Sequence, residues 1–401
     1  MRAQALRVCG LLAVTFALCL IGLVYLRSTV KAYWPIGVDV YPYWTGTRAF
    51  WQGENPYSAQ VQAETQTLIY GRPGRAEEDP FGFYYPAYVV ILMSPLVLFP
   101  VAWAGIIWAA LMGAIFLTLV LLWSWSLAPR LKPLPWALVL FSAIAYRPAL
   151  FSITEAQYGF LVLGCGALAW YLIENKYELL AGVLLMFVTI KPSLALFLPA
   201  VLLLWALRWK RWHVIIGFAV TLVVLMGITL LRLGWWIPDF LRGAMIFSQD
   251  HPGLGWSPRE IASIPGAVWL SGSLIITGIG LMQLYRRPDL PWLALIGAMN
   301  LNLVLTPHLV EYDLAIMLLA LFWLGGEWRR YRWGLIIWLL LIWTPWISYT
   351  WYMSRGWIID DWWPEFWRMY PPMLAVLIAL WVVRDRIAVF NPLRTRHVPG
   401  D

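Results

Sequence analysis

A small set of residues puts charge or a transferable proton where this otherwise apolar chain has no packing use for it. Asp39 stands in Gly37-Val38-Asp39-Val40-Tyr41-Pro42-Tyr43-Trp44, with Arg48 shortly after it. A carboxylate among aromatic rings is partly desolvated, which raises its pKa and makes it a stronger base. The same aspartate could instead cap a helix opening near Tyr41, a common use of Asp before a helical run. In Thr189-Ile190-Lys191-Pro192 the proline ends a helix beside a lysine, giving a fixed cation of the kind that holds a phosphate, or one that merely snorkels to an interface. Arg147, followed by Pro148, and Gln157 beyond the next turn supply a second cation and an amide. A guanidinium recognises phosphate oxygens with a fork of donors, so this pair suits a phosphodiester or pyrophosphate headgroup, or anchors the loops.

His308 opens a further cluster, His308-Leu309-Val310-Glu311-Tyr312-Asp313, in which His308 and Tyr312 are spaced to share a helix face. A histidine there can donate to a phosphate or orient a carboxylate. Glu155, Glu311 and Asp313 are also charges inside apolar stretches and each requires a partner or a polar cavity. The Gly-rich stretch Asp250-His251-Pro252-Gly253-Leu254-Gly255-Trp256 neither follows a strand nor leads into Gly-Lys-Ser, so it is no phosphate cradle. Nothing in the chain reads as a nucleotide-binding fingerprint.

The elements that must position these groups are membrane helices. Of 401 residues, 61% are hydrophobic and 12% charged, too few polar residues to cover a soluble globule. Apolar segments run near 6–26, 86–100, 101–124, 134–149, 157–173, 178–190, 192–208, 212–232, 263–285, 289–305, 308–325, 331–352 and 371–388. The expected fold is therefore all-α and polytopic, with about twelve spans in a single domain over residues 1–401. The first segment, behind Arg2 and Arg7, reads as a retained signal anchor. The segment 86–100, bounded by Pro86 and Pro100 and interrupted by Pro95, is too short for an upright crossing and reads as re-entrant.

Basic clusters at 208–211, 286–287, 329–332 and 384–396 mark inner loops and account for the net charge of +8 without nucleic acid. The chemistry-bearing loops then fall on the outer face. Many of the 29 tryptophans, among them Trp34, Trp44, Trp123, Trp209, Trp235, Trp333 and Trp363, end apolar runs and read as an interfacial belt. Cys9, Cys19 and Cys165 lie within apolar runs, without the spacing of a disulfide framework or zinc site.

The stretch after the first helix, Trp51-Gln52-Gly53-Glu54-Asn55-Pro56-Tyr57, Tyr84-Tyr85-Pro86 leading to Phe99-Pro100, and the Ala181-Gly182 run ending in Lys191-Pro192 together resemble glycosyltransferase family 87 over about the first 210 residues. The chain departs from that pattern in having Ala156-Gln157 where the family has Gly-Gln, and Pro86-Ala87 where a second proline is common. The resemblance implies a multispanning GT-C fold and transfer of a monosaccharide, mannose or another hexose or pentose, from a polyprenyl-phosphate sugar to a lipid or glycan acceptor at the outer face of the cell membrane. It implies Asp39 as the base of an inverting displacement, with His308 beside it in catalysis. Lys191, Arg147 and Gln157 would bind the donor phosphate, and Tyr41, Tyr43, Arg48, Tyr85 and Tyr312 would line the pocket. No cofactor is required, although Asp39, Glu54 and Asp313 could supply oxygen ligands to a divalent cation. A transporter or flippase of lipid-linked sugars, and a glycan ligase or polymerase, remain alternatives with the same topology. Charges gathered at helix ends and not at the midplane weigh against the transporter.

Overall fold

The computed structural model describes residues 2–29, 35–75, 78–128, 131–195, 197–250, 299, 302–303, 310–327 and 332–354. Every regular element among the described residues is helical. Helix α1 (Arg2–Thr29) is followed by α2 (Val40–Gln52) and α3 (Ala59–Tyr70), then a five-residue α4 (Val89–Met93) that tightens into a 3-10 turn, Ser94–Leu98. Next come α5 (Val101–Leu127), α6 (Pro133–Ile144), α7 (Arg147–Thr154) and α8 (Gly159–Glu174). Helix α9 (Glu178–Phe187) ends in a 3-10 turn at Val188–Ile190 and is followed by α10 (Pro192–Ala195), α11 (Phe197–Arg208), α12 (Trp212–Leu233) and α13 (Ile237–Asp250). A 3-10 segment, Glu311–Met317, runs into α14 (Leu318–Glu327), and α15 spans Arg332–Ser354.

Four described helices are long and apolar enough to cross a membrane: Leu6–Thr29, Val101–Leu127, Pro133–Thr154 and Trp212–Leu233. Among the described residues, several of the expected dozen are not long rods. Val89–Leu98, Gly159–Glu174, Glu178–Ile190 and Phe197–Arg208 are apolar but short. At 1.5 Å per residue the 16-residue α8 reaches about 24 Å, less than a hydrocarbon core of about 30 Å. The apolar segment 86–100 is, as its prolines suggested, broken and too short to cross. All of 263–285 and 371–388, and most of 289–305, lie outside the described residues.

Helix α5 is the central post, with 67% of its apolar window buried, whereas that of α1 is 11% buried and leaves Leu6, Val14, Leu18, Ile21 and Tyr25 exposed. The two helices join through small and hydroxyl residues, as lipid-embedded helices do. Thr15 Oγ1 lies 3.3 Å from Ala114 O and 3.2 Å from Thr118 Oγ1. The core around α5 is aromatic: Trp108, Phe116, Trp123, Phe160, Trp170 and Phe322 are buried. Trp123 thus corrects one expectation, since it packs against Phe322 at 5.5 Å between ring centroids and does not stand in an interfacial belt. Trp235, 69% exposed, fits the belt; Trp34 and Trp363 lie outside the described residues.

Helix α2 is fastened at the end of this bundle by polar contacts along its length. Trp44 Nε1 donates to Phe99 O at 3.0 Å and Trp51 Nε1 to Ser94 Oγ at 2.8 Å. Its C-terminal carbonyls, which no helical N–H can reach, accept from Arg232 in the last turn of α12: Nη2 to Trp51 O at 2.5 Å and Nε to Phe50 O at 3.2 Å. The Asn55-Pro56-Tyr57 motif is a brace. Asn55 Oδ1 accepts from Tyr57 N at 3.0 Å, its amide donates to Asp239 at 3.0 Å, and Tyr57 Oη donates to Tyr85 O at 2.7 Å.

Helices α9 and α12 approach closest at Gly182 and Gly217. A Cβ on Gly182 would lie 2.1 Å from Val214 O, and one on Gly217 would lie 2.1 Å from Leu179 O. We expect Gly182→Ala to lower stability by about 1–3 kcal/mol through overpacking that only backbone separation relieves. Gly227→Ala, where a Cβ meets nothing within 4 Å, should be neutral or slightly stabilising. Thermal unfolding in detergent followed by tryptophan fluorescence checks both, and equal midpoints for the two variants would refute the packing argument.

Candidate functional site

The chain after α1 turns back at Gly37. Its φ of +74° is disfavoured for any residue with a side chain. A Cβ there would also lie 2.7 Å from Gly105 O on α5, so glycine is required both for the turn and for the close approach. Gly37 N donates to Thr154 O at 2.7 Å, which locks this turn against the end of α7. Two residues later Asp39 occupies the N-terminal flank of α2, but its φ of −69° and ψ of −9° are not those of a capping residue and its side chain makes no cap bond. The carboxylate is used elsewhere: Oδ2 accepts from Gln157 Nε2.

Gln157 reaches Asp39 because the chain reverses between α7 and α8. Ala156 takes φ +57°, the left-handed conformation, and Gln157 N then donates to Ser152 O at 2.9 Å. The other end of the amide, Oε1, accepts from Lys191 Nζ at 2.9 Å. Lys191 breaks the path from α9 into α10. With Pro192 following, its backbone is extended (φ −125°, ψ 84°), which aims a buried ammonium at the site. The same Nζ donates to Asp313 Oδ1 at 2.6 Å and lies 4.6 Å from the centroid of the Tyr312 ring. Asp313 Oδ2 accepts from Val310 N at 3.1 Å, closing the first turn of its 3-10 segment. The result is a chain of bonds, Asp39, Gln157, Lys191 and Asp313, drawn from four separate parts of the sequence.

Arg147 forms a second pair with the same 3-10 segment. It is bonded to the buried Glu311, sits over the Tyr349 ring at 4.0 Å and lies 5.5 Å from the Phe151 centroid. It occupies the break between α6 and α7, where Ala145 O accepts from Trp346 Nε1 at 2.9 Å and Tyr146 Oη donates to Leu314 O at 2.9 Å. Both cations expected to hold phosphate are therefore already bonded to carboxylates two residues apart.

Beside Asp39 stands an aromatic wall. Tyr43 and Tyr85 share a hydroxyl hydrogen bond of 2.7 Å, and the Tyr158 ring packs tilted against Tyr43 at 4.8 Å and edge-on against Tyr85 at 5.4 Å between centroids. The structure thus brings Asp39, Gln157, Lys191, Tyr43, Tyr85 and Tyr312 together, with Arg147 close behind through Glu311. It does not bring in Arg48, which pairs with Glu64 and stacks over Trp44 at 5.0 Å to hold α2 to α3. Tyr41 is buried on the side of Arg27. His308 lies outside the described residues. Tyr158, Asp79 and the pairing role of Asp313 are features that residue type and spacing do not single out. Only Asp313 carried a signal, as an uncompensated charge in an apolar stretch.

Burial pushes the Asp39 carboxyl up to about 7, reinforced by the negative charge of Asp79 and opposed by the Gln157 bond and by Lys191. Glu155, with no cation partner among the described residues, is pushed up to about 8 by burial and then by Asp39. A carboxyl raised in this way is a stronger base than an ordinary aspartate and better able to take a proton. Among the described residues no group of three His, Cys, Asp or Glu side chains converges as a metal site.

The family model for glycosyltransferase family 87 matches residues 83–311. The match takes in Tyr85, Arg147, Gln157 and Lys191, begins after Asp39 and the Asn55-Pro56-Tyr57 brace, and stops short of Asp313. No curated protein and no solved structure matches the chain.

The Arg147–Glu311 pair gives a stability test. Removing one member of a buried pair strands the other charge, so Arg147→Met should cost about 3 kcal/mol or more. Arg147→Met/Glu311→Leu strands none and should recover most of the loss. A double variant no more stable than the single one, by thermal unfolding, would refute a pair whose members depend on each other.

Proposed function

The chain belongs to glycosyltransferase family 87, and on that footing we propose that it transfers a monosaccharide from a polyprenyl-phosphate sugar to a hydroxyl of a lipid or glycan acceptor, at the outer face of the cell membrane. The observation that carries this reading is Asp39. It is a carboxylate at the start of α2, raised by burial to about 7, turned away from capping its own helix and held by an amide. A monosaccharide donor of mannose type, or another hexose or pentose, suits Tyr85, the partly exposed ring of the tyrosine wall, which can lie against the C–H face of a sugar.

In the proposed step the acceptor hydroxyl oxygen attacks the anomeric carbon from the face opposite the lipid phosphate. The bond from that carbon to the phosphate oxygen breaks and its electron pair leaves with the phosphate. The hydroxyl proton passes to Asp39, and the configuration at the anomeric carbon inverts. Asp39 is the base, and Lys191, Arg147 and His308 stabilise the charge growing on the leaving phosphate, a role cations perform well in a water-poor site. An incoming phosphate meets Lys191 and Arg147 in competition with Asp313 and Glu311, so donor binding includes an exchange of carboxylate for phosphate at these cations.

Two measurements test the reading on protein in lipid nanodiscs, supplied with radiolabelled polyprenyl-phosphate sugars and a membrane-lipid acceptor extract. Asp39→Asn should assemble normally and lose transfer by at least a hundredfold, because only the proton acceptor is gone; turnover within tenfold of the unmodified protein would end the general-base assignment. The rate should also rise with pH through a midpoint near 7, since a base works only when ionised and the acid form prevails below that value. Activity that is flat from pH 5 to pH 8 would refute it. Movement of the labelled lipid across the bilayer with no sugar transferred from any donor would make the chain a transporter.

A further inference from the structure

The bonds around Gln157 have an order that only one of its orientations satisfies. A carboxamide has one accepting and one donating end. With Nε2 toward Asp39 and Oε1 toward Lys191, both contacts are favourable. Rotated by half a turn, the amide would set its NH2 against the ammonium and its oxygen against an ionised carboxylate. Only a protonated Asp39, donating its own hydrogen, could accept that arrangement. Lys191 therefore selects the amide orientation that favours ionised Asp39. Lys191 is itself fixed by Asp313, which takes the 2.6 Å bond and cancels its charge.

We propose that Asp313 is a positioning residue for Asp39, acting through Lys191 and Gln157 to hold the amide in its donating orientation and to balance the one cation among the described residues that faces the carboxylate. Asp313 lies outside the span matched by the family model and makes no direct hydrogen bond to Asp39 among the described residues. The inference rests on Asp39 being the base, but the coupling it describes is a property of the resting protein and can be read without turnover.

The surroundings of Asp39 make the coupling measurable. Gln157 and Glu155 face it from the turn between α7 and α8, Lys191 from the junction before α10, Asp313 and Tyr312 from the 3-10 segment, Asp79 and Tyr85 from the stretch between α3 and α4, and Tyr43 from α2. Lys191 is the one cation in that set. Removing it takes away the attraction and frees the amide to rotate, so both effects favour the protonated acid. Replacing Asp313 by asparagine keeps an oxygen for Lys191 to bond but leaves the ammonium uncompensated, which favours the ionised form.

The test is infrared titration of the protonated-carboxyl band in nanodiscs, with the Asp39 contribution assigned by its loss in Asp39→Asn. Lys191→Met should move the Asp39 midpoint up and Asp313→Asn should move it down, each by about one pH unit. If Asp313→Asn alone does not assemble, Lys191→Met/Asp313→Asn buries no unpaired charge and, with the link to the amide gone, should titrate close to Lys191→Met; a midpoint a full pH unit below it would show Asp313 acting on Asp39 directly and overturn the route through Lys191. An Asp39 midpoint unmoved by Asp313→Asn, or moved in the same direction as by Lys191→Met, overturns the proposal. If the opposed shifts appear while Asp39→Asn retains sugar transfer, the coupling stands and the general-base assignment falls. If they are absent while Asp39→Asn is inactive, the reverse holds.

Discussion

Charge buried in a poorly solvating medium must be matched locally, and the ammonium of Lys191 is where this protein meets that demand. An isolated ammonium taken out of water costs several kcal/mol, so its three donors need partners. They have an amide oxygen, a carboxylate and an aromatic face. Those partners come from the turn after α7 and from the 3-10 segment before α14, so satisfying one side chain fixes the relative placement of three remote stretches. Arg147 repeats the device with Glu311, Tyr349 and Phe151. Because both carboxylates belong to one short segment, 311–313, the two pairs pin that segment to two different helix breaks at once.

The same geometry depends on backbone positions where side chains are small. Gly37 allows the Asp39 turn to lie on Gly105, and its N–H ties that turn to Thr154, three residues before Gln157. Ala156 supports a left-handed conformation, which costs roughly 1–2 kcal/mol for a residue other than glycine. Its methyl is fully buried, so the packing it gains offsets part of that cost. The turn is thereby held in the one conformation that aims Gln157 back at Asp39.

Much of this was legible in the sequence, and the illegible part has physical causes. Charges in apolar runs announce that partners exist, and Pro192 announces a break at Lys191, so Asp39, Lys191, Arg147 and Gln157 could be singled out. Who pairs with whom could not be read, because most of the pairs join residues more than a hundred positions apart, such as Lys191 with Asp313. Arg48 shows the converse: it looks like a pocket cation, yet Glu64, one helix further on, takes it. Asp39 resembles a helix cap, and only its backbone angles reveal that it is not. Apolar runs marked where helices occur but not how many are long. Breaks at Ala145–Tyr146 and at 188–192 expose backbone carbonyls that Trp346 and other side chains must satisfy, and such rescue depends on tertiary contacts. Trp123 ends an apolar run in sequence and is central in space, because Phe322 comes to meet it.

The charge balance around the site explains why a carboxylate here can be a strong base. Lys191 and Arg147 are each cancelled by a carboxylate, which leaves Asp39 with Asp79 nearby and, among the described residues, no cation of its own. Glu155 adds less negative charge than an ordinary glutamate, because burial pushes its carboxyl up. Asp39 is therefore raised by desolvation and by a like charge while the Gln157 bond and the remaining field of Lys191 limit the rise. Were Lys191 uncompensated, its full attraction would pull Asp39 back toward an ordinary aspartate, always ionised at neutral pH but weakly basic. Were Lys191 absent, Asp39 would hold its proton and could accept no other. A cation held by a carboxylate, acting through an amide that can face only one way, keeps the group between those limits.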